Sequence, residues 1–182
     1  METQTALKTV YAIDPSHSMV EFSVRHLMIS KVRGRFTAFQ GSIAVPAGSD
    51  VPSELEVTIE AKSIDTHEAQ RDTHLRSADF FHAEQFPSLT FKSTGIKRTS
   101  GGSFEVTGNL TMHGVKKSVT FDAEFEGRGN DPWGNQRVAY SAHTKLDRKD
   151  FRLNWNAALE AGGVMVSDEV KIELNVEASA AK

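Results

Sequence analysis

The sequence predicts an all-β protein, an antiparallel sheet closed into a barrel or stacked as a sandwich, interrupted once by a polar helix. Three observations predict this. Apolar and polar residues alternate with period two through most of the 182 residues. The alternating segments are joined by short polar turns rich in Gly, Asn and Asp. About eight such segments occur, nearly all with one wet face, and closing the sheet would remove the exposed edges that invite aggregation.

Composition narrows the classes. The length fits a single domain, residues 1–182 with an ordered core over about 9–178. Hydrophobic content of 38% and charged content of 25% are ordinary for a globular chain. No run approaches the roughly 18 apolar residues of a membrane helix, and the first residues lack a basic start, apolar run and small-residue cleavage site, so the expected location is cytoplasmic. With no cysteine there is no disulfide, thiolate metal site or Cys nucleophile. A net charge of −3 argues against nucleic acid. Between Phe22 and Ser49, however, there is no acid at all, while Arg25, Lys31, Arg33 and Arg35 fall close to His26. That is either a solvated basic hairpin or a patch for an anionic head group or lipid surface.

Along the chain, residues 11–13 can form a first strand, and Asp14-Pro15-Ser16 turns it, because Pro presets φ and Asp bonds its own following backbone. Val20, Phe22 and Val24 alternate with polar neighbours. The pattern blurs at His26-Leu27-Met28-Ile29 and resumes beyond Gly34, with Phe39, Gly41, Ile43 and Val45 on one face and Phe36 on the other. A loop over 46–53 precedes the clean alternation of Leu55, Val57, Ile59 and Ala61. Asp65 with Glu68 resembles a capping box opening a helix to about Arg76, in which Asp72 and Arg76 can pair at i,i+4. Ser77 can cap a further turn carrying Phe80 and Phe81. This polar helix and its aromatic follow-on, Phe80, Phe81, Phe86 and Phe91 around Pro87, read as a lid on a β structure.

Strands return at Leu89, Phe91 and Ser93, then Phe104 to Met112 after a 99–102 turn. A His113-Gly114 turn joins the last of these to Val119, Phe121, Ala123 and Phe125. Residues 127–135 read as a loop, Val138 to Leu146 as a strand, 147–155 as an irregular connection, and Val170 to Val176 as the last strand before a frayed tail over 178–182. The inner face carries many Phe, few charges and the small residues Gly41, Ala61, Gly108, Ala123 and Ala142, which leave room for something apolar or let a barrel bend.

Chemistry is sparse. There is no nucleophile elbow, phosphate loop, dinucleotide fingerprint or zinc-protease motif. His67 and His74 are seven apart, about 10.5 Å along a helix, so one metal cannot be held by both. An acid–base pair is available in His and Asp, but no spacing specifies one.

The runs IDPSHSMVEFSVRHLMISKVRGRF, SIDTHEAQRDTHLRSADFFHAEQFPSLTFKST, VTGNLTMHGVKKSVTF, LDRKDFRLNWN and VSDEVKIELNVEA together resemble the YceI-like, polyisoprenoid-binding family over roughly 11–177. The resemblance implies an eight-stranded antiparallel, lipocalin-like barrel with a long apolar pocket for a polyprenyl phosphate or isoprenoid quinone, and no catalytic residue set; no cofactor or metal is expected. Two departures stand out: Arg152 where a Gly commonly follows the Asp-Phe of Asp150 and Phe151, which would put a cation near Trp155 at the rim, and Lys116-Lys117-Ser118 in place of Thr-Lys-Pro. The polar helix and aromatic segment are expected to cover one end.

The leading expectation is binding, carriage or storage of such a lipid. Its tail would lie along Phe22, Phe36, Phe39, Phe91, Leu110, Met112, Phe121 and Tyr140, with Met28, Phe80, Phe81 and Trp155 near an end, and its head would meet Arg25, His26, Arg71, Asp72 and His74. The expected partner is a long isoprenoid or other amphiphilic lipid, with no stable membrane insertion and a homodimer as the one assembly considered. The alternative is an enzyme acting on such an amphiphile through His26, Asp72 or His74. A third reading is a barrel with a filled core.

Overall fold

The computed structural model describes residues 7–160 and 162–180. Among them the strand segments are β1 (Lys8–Ile13), β2 (Met19–His26), β3 (Ser30–Phe36), β4 (Phe39–Pro46), β5 (Glu54–Glu60), β6 (Ile64–Asp65), β7 (Ser88–Ser100), β8 (Ser103–Met112), β9 (Val115–Asn130), β10 (Gln136–Asp147) and β11 (Glu169–Ala180), with one helix, α1 (Ala69–Arg76). Every pairing is antiparallel.

These segments make eight barrel strands, because three strands are broken at the same level. β1 and β2 pair successively along β11, Ile13 opposite Ala178 and Met19 opposite Asn175. β4 pairs β1 while β3 pairs β2, and β5 pairs β4 while β6 pairs β3. Three adjacent strands therefore turn one corner together, and β1–β11 and β5–β7 contacts complete the ring. Each break also changes which residues face in. Tyr11 and Ile13 are buried before the 3₁₀ turn Pro15–His17, and Val20 after it. The same shift settles Phe36 and Phe39: the break at 37–38 changes the parity, so both are buried rather than lying on opposite faces.

Other boundaries move for local reasons. The loop expected over 127–135 shrinks to 131–135, because β9 continues through Asn130 past a bulge that sets Ala139 against Gly127 and Tyr140 against Phe125. The frayed tail is ordered to Ala180: Ala178 is fully buried between β1 and β10, while 181–182 lie outside the described residues. Helix α1 starts later than the Asp65 capping box implies. Its cap is Glu68, whose carboxylate accepts from the amides of Gln70 and Arg71 at 3.2 and 2.5 Å. Asp65 is already engaged in β6, where it accepts from the His67 amide and pairs with Arg35.

Inner glycines are contact points rather than spare room. A Cβ at Gly34 would collide with the Phe22 ring, and one at Gly108 would lie 2.5 Å from the Phe91 ring and from the Lys92 carbonyl. Each glycine thus lets a neighbouring strand's aromatic lie flat across the sheet.

Candidate functional site

The barrel encloses a cavity of about 560 Å³, within the range of ligand pockets. Its wall is made by the inward residues of the strands, among them Phe22, Leu55, Val57, Ile59, Phe91, Ile172 and Leu174, which are only half-buried because they border the void. One end is stopped. There Phe104 and Phe125 pack on Tyr140 with ring centroids 5.7 Å away, and the Tyr140 hydroxyl donates to the Asp50 carbonyl in the 47–53 loop at 2.8 Å. Burial pushes the Tyr140 phenol well above its ordinary pKa.

The other end carries α1, the turns over 77–87 and the stretches 152–160 and 162–167. Residues that both line the cavity and are exposed gather here, Arg25, Gln70 and Arg71, so the cavity opens between α1 and the β2–β3 hairpin. Phe80 is buried against Trp155 at 5.3 Å, and His74 stands edge-on to both rings at 5.1 and 4.7 Å. Phe81 meets Phe36 edge-on at 5.8 Å, and Phe36 meets Phe22 at 5.7 Å, so the aromatic lid is continuous with the wall.

The lid is fastened by backbone-directed hydrogen bonds. Arg76 donates to the carbonyls of Lys62 and Ile64, and Arg71 to the hydroxyl and carbonyl of Thr66. Arg148, 4% exposed, gathers the far side by donating to the carbonyls of Leu153, Trp155 and Ser167. Burial lowers its pKa, with Asp168 and Asp147 opposing the shift. Sequence reasoning did not single out Arg148, since a cation in an irregular connection has no periodic signature; its nearest signal was the LDRKDF run itself.

The expected site residues divide as follows. Phe22, Phe36, Phe39, Phe80, Phe81, Phe91, Leu110, Met112, Phe121, Tyr140 and Trp155 line the cavity, as do Arg25, His26, Arg71 and His74. Met28 does not: it is 52% exposed on the hairpin turn. Nor does Asp72, which is buried with Oδ1 accepting from the Thr66 amide and hydroxyl at 2.9 and 2.6 Å. That bond also replaces the expected Asp72–Arg76 pair. Two other expectations are corrected. Phe86 packs between His82 and His113 outside the wall, and Arg152 is exposed away from it, at φ 59, the left-handed conformation for which glycine is suited. His74 Nε2 lies 2.8 Å from Asp79, and His67 falls before α1.

Comparison with known proteins decides the family. The YceI-like domain matches residues 11–178. The chain belongs to the YceI-like family. It is 38% identical to Protein YceI of Salmonella newport over 96% of this chain and 89% of that protein. It is likewise 38% identical to a UPF0312 protein of Vibrio cholerae over 92% and 85%. The barrel superposes on the YceI protein of Campylobacter jejuni with TM-score 0.76 at 30% identity, over 87% and 90% of the two chains. A domain from Saccharophagus degradans, described as polyisoprenoid-binding, shares the fold at TM-score 0.72 and 17% identity, over 95% and 99%. No helix of this YceI-like chain, among the described residues, is long and apolar enough to cross a membrane.

Proposed function

We propose that this YceI-like protein binds a long-chain isoprenoid lipid, a polyprenyl phosphate or an isoprenoid quinone, and carries or stores it without chemical change. The observation that carries this reading is a cavity walled mainly by aliphatic and aromatic side chains, with Arg25, His26, Arg71 and His74 gathered at its open end. Among the described residues no buried side-chain N or O lacks a partner, and the Tyr140 hydroxyl at the closed end is already committed to the Asp50 carbonyl. Each buried methylene contributes about 0.8 kcal/mol, which lets a branched hydrocarbon bind tightly through shape alone. The domain from Saccharophagus degradans described as polyisoprenoid-binding has the same fold.

In this reading the tail lies along Phe22, Phe91, Phe121 and Leu110 toward the Tyr140 stop, and the head stays at the opening near Arg25, His26, Arg71 and His74. Trp155 borders the opening, while Trp133 is 78% exposed in the 131–135 loop at the other end. A Trp133→Phe variant therefore leaves Trp155 as a single reporter. Titration with polyprenyl phosphates and quinones of increasing length is expected to change its fluorescence saturably and to leave the ligand chemically intact. No saturable change with any of them would overturn the proposal.

A further inference from the structure

The β2–β3 hairpin beside the cavity opening is built against its own local stability. Its tip is Leu27-Met28-Ile29, with Leu27 at φ 52 and Met28 at φ 62. Two consecutive left-handed residues are what Asn-Gly turns supply cheaply, and bulky side chains there are strained. The strained tip exposes apolar surface: Met28 is 52% and Ile29 79% exposed. Just below it Arg25 stands directly opposite Lys31, a like-charge cross-strand pair, with Arg33 next along the same exposed face. Among the described residues none of these three cations is paired with a carboxylate. An apolar point ringed by unpaired cations, on a protein whose net charge is −3, is complementary to an anionic bilayer surface.

The hairpin is also joined to the opening. The Leu27 amide donates to the Met165 carbonyl, Arg25 and Ser167 exchange backbone and hydroxyl bonds, and Met28 packs beside Gly163. Met165 and Val166 in turn line the cavity. Whatever seats the tip therefore faces the opening.

We propose that the β2–β3 hairpin docks this protein reversibly on anionic membranes, with Met28 and Ile29 inserted below the head groups and Arg25, Lys31 and Arg33 among them, setting the cavity opening against the bilayer. The proposal deepens the lipid-binding reading but is testable apart from it, because vesicles without isoprenoid suffice. The chain has no cysteine, so Ile29→Cys can carry an environment-sensitive fluorophore, with Ser100→Cys, exposed at the opposite end, as its control.

With vesicles of phosphatidylglycerol and phosphatidylcholine the Ile29→Cys label is expected to shift to the blue and the Ser100→Cys label not to. Sedimentation with these vesicles should fall about fivefold for each of Lys31→Gln and Arg33→Gln, which is ~1 kcal/mol per cation. It should weaken further at high salt as the Debye length shrinks, and be lost in a Met28→Ser/Ile29→Ser variant. Thermal unfolding of each variant, at exposed positions, reports that the fold is kept. No sedimentation of the wild type, equal binding to pure phosphatidylcholine, or a Met28→Ser/Ile29→Ser variant that binds like the wild type would overturn the proposal. So would self-association through the tip without vesicle binding, which would assign the surface to a second copy.

Discussion

Filling the cavity from its wall should abolish binding while leaving the barrel standing. Ala142 borders the void on β10, opposite Ala123 of β9 and Leu174 of β11. A phenylalanine at that position projects a ring into the space that the proposed tail would occupy, enough to displace about one five-carbon isoprene unit. At ~0.8 kcal/mol per buried methylene-sized group this removes about 4 kcal/mol, or about three decades in Kd. Forcing the same ring into a filled core would cost about 1–3 kcal/mol of stability, but here the ring enters a void. Ala142→Phe should therefore melt close to the wild type. The assay is the Trp155 fluorescence titration beside thermal unfolding. A variant that keeps its fold and binds within threefold of the wild type would refute the placement of the tail.

Further outcomes follow from the same geometry. Gly108→Val should lose about 1–3 kcal/mol in urea unfolding, because its Cβ meets both the Phe91 ring and the Lys92 carbonyl. Arg148→Met leaves the carbonyls of Leu153, Trp155 and Ser167 without their donor. The expected loss is about 1–3 kcal/mol, read as faster amide exchange across 155–167 than in β8. At the closed end, Arg137 joins Asp14, Asp131 and Glu177. The Asn135 side chain, followed by backbone amides and Arg137, holds the Asp131 carboxyl at about 2, and hydrogen bonds from Ser16, His17 and Arg137 hold Asp14 far below its usual value. Depressed folded-state values mean the cluster stabilises fully above about pH 4, the unfolded carboxylate value. That contribution should be lost as pH falls toward 2 and below, an acid-dependent step in thermal stability that Arg137→Gln diminishes.

Much of the barrel was legible where one residue's neighbours settle its environment. The alternation over 55–59 and the hairpin across His113-Gly114 appear as expected, because a strand with one wet face carries its own period and the turn supplies two residues at positive φ. What failed depended on partners distant in sequence. Asp65 and Glu68 are equally plausible caps locally; pairing of β6 with β3 takes Asp65 away. Phe36 and Phe39 cannot be assigned one face from sequence, since the shared corner of three strands resets the parity. The wall contains most of the expected aromatics because inward position follows from period. Asp72 and Met28 fall outside it because helix start and hairpin strain, neither visible in the alternation, decide where they point.

The central claim, that the cavity is a container for an isoprenoid tail, is tested most directly by native mass spectrometry of the protein purified without detergent or organic solvent. The account predicts a one-to-one complex whose added mass, on release, is an intact isoprenoid lipid, absent from Ala142→Phe. A wild-type protein of bare chain mass that also takes up no polyprenyl phosphate or quinone on addition would contradict it.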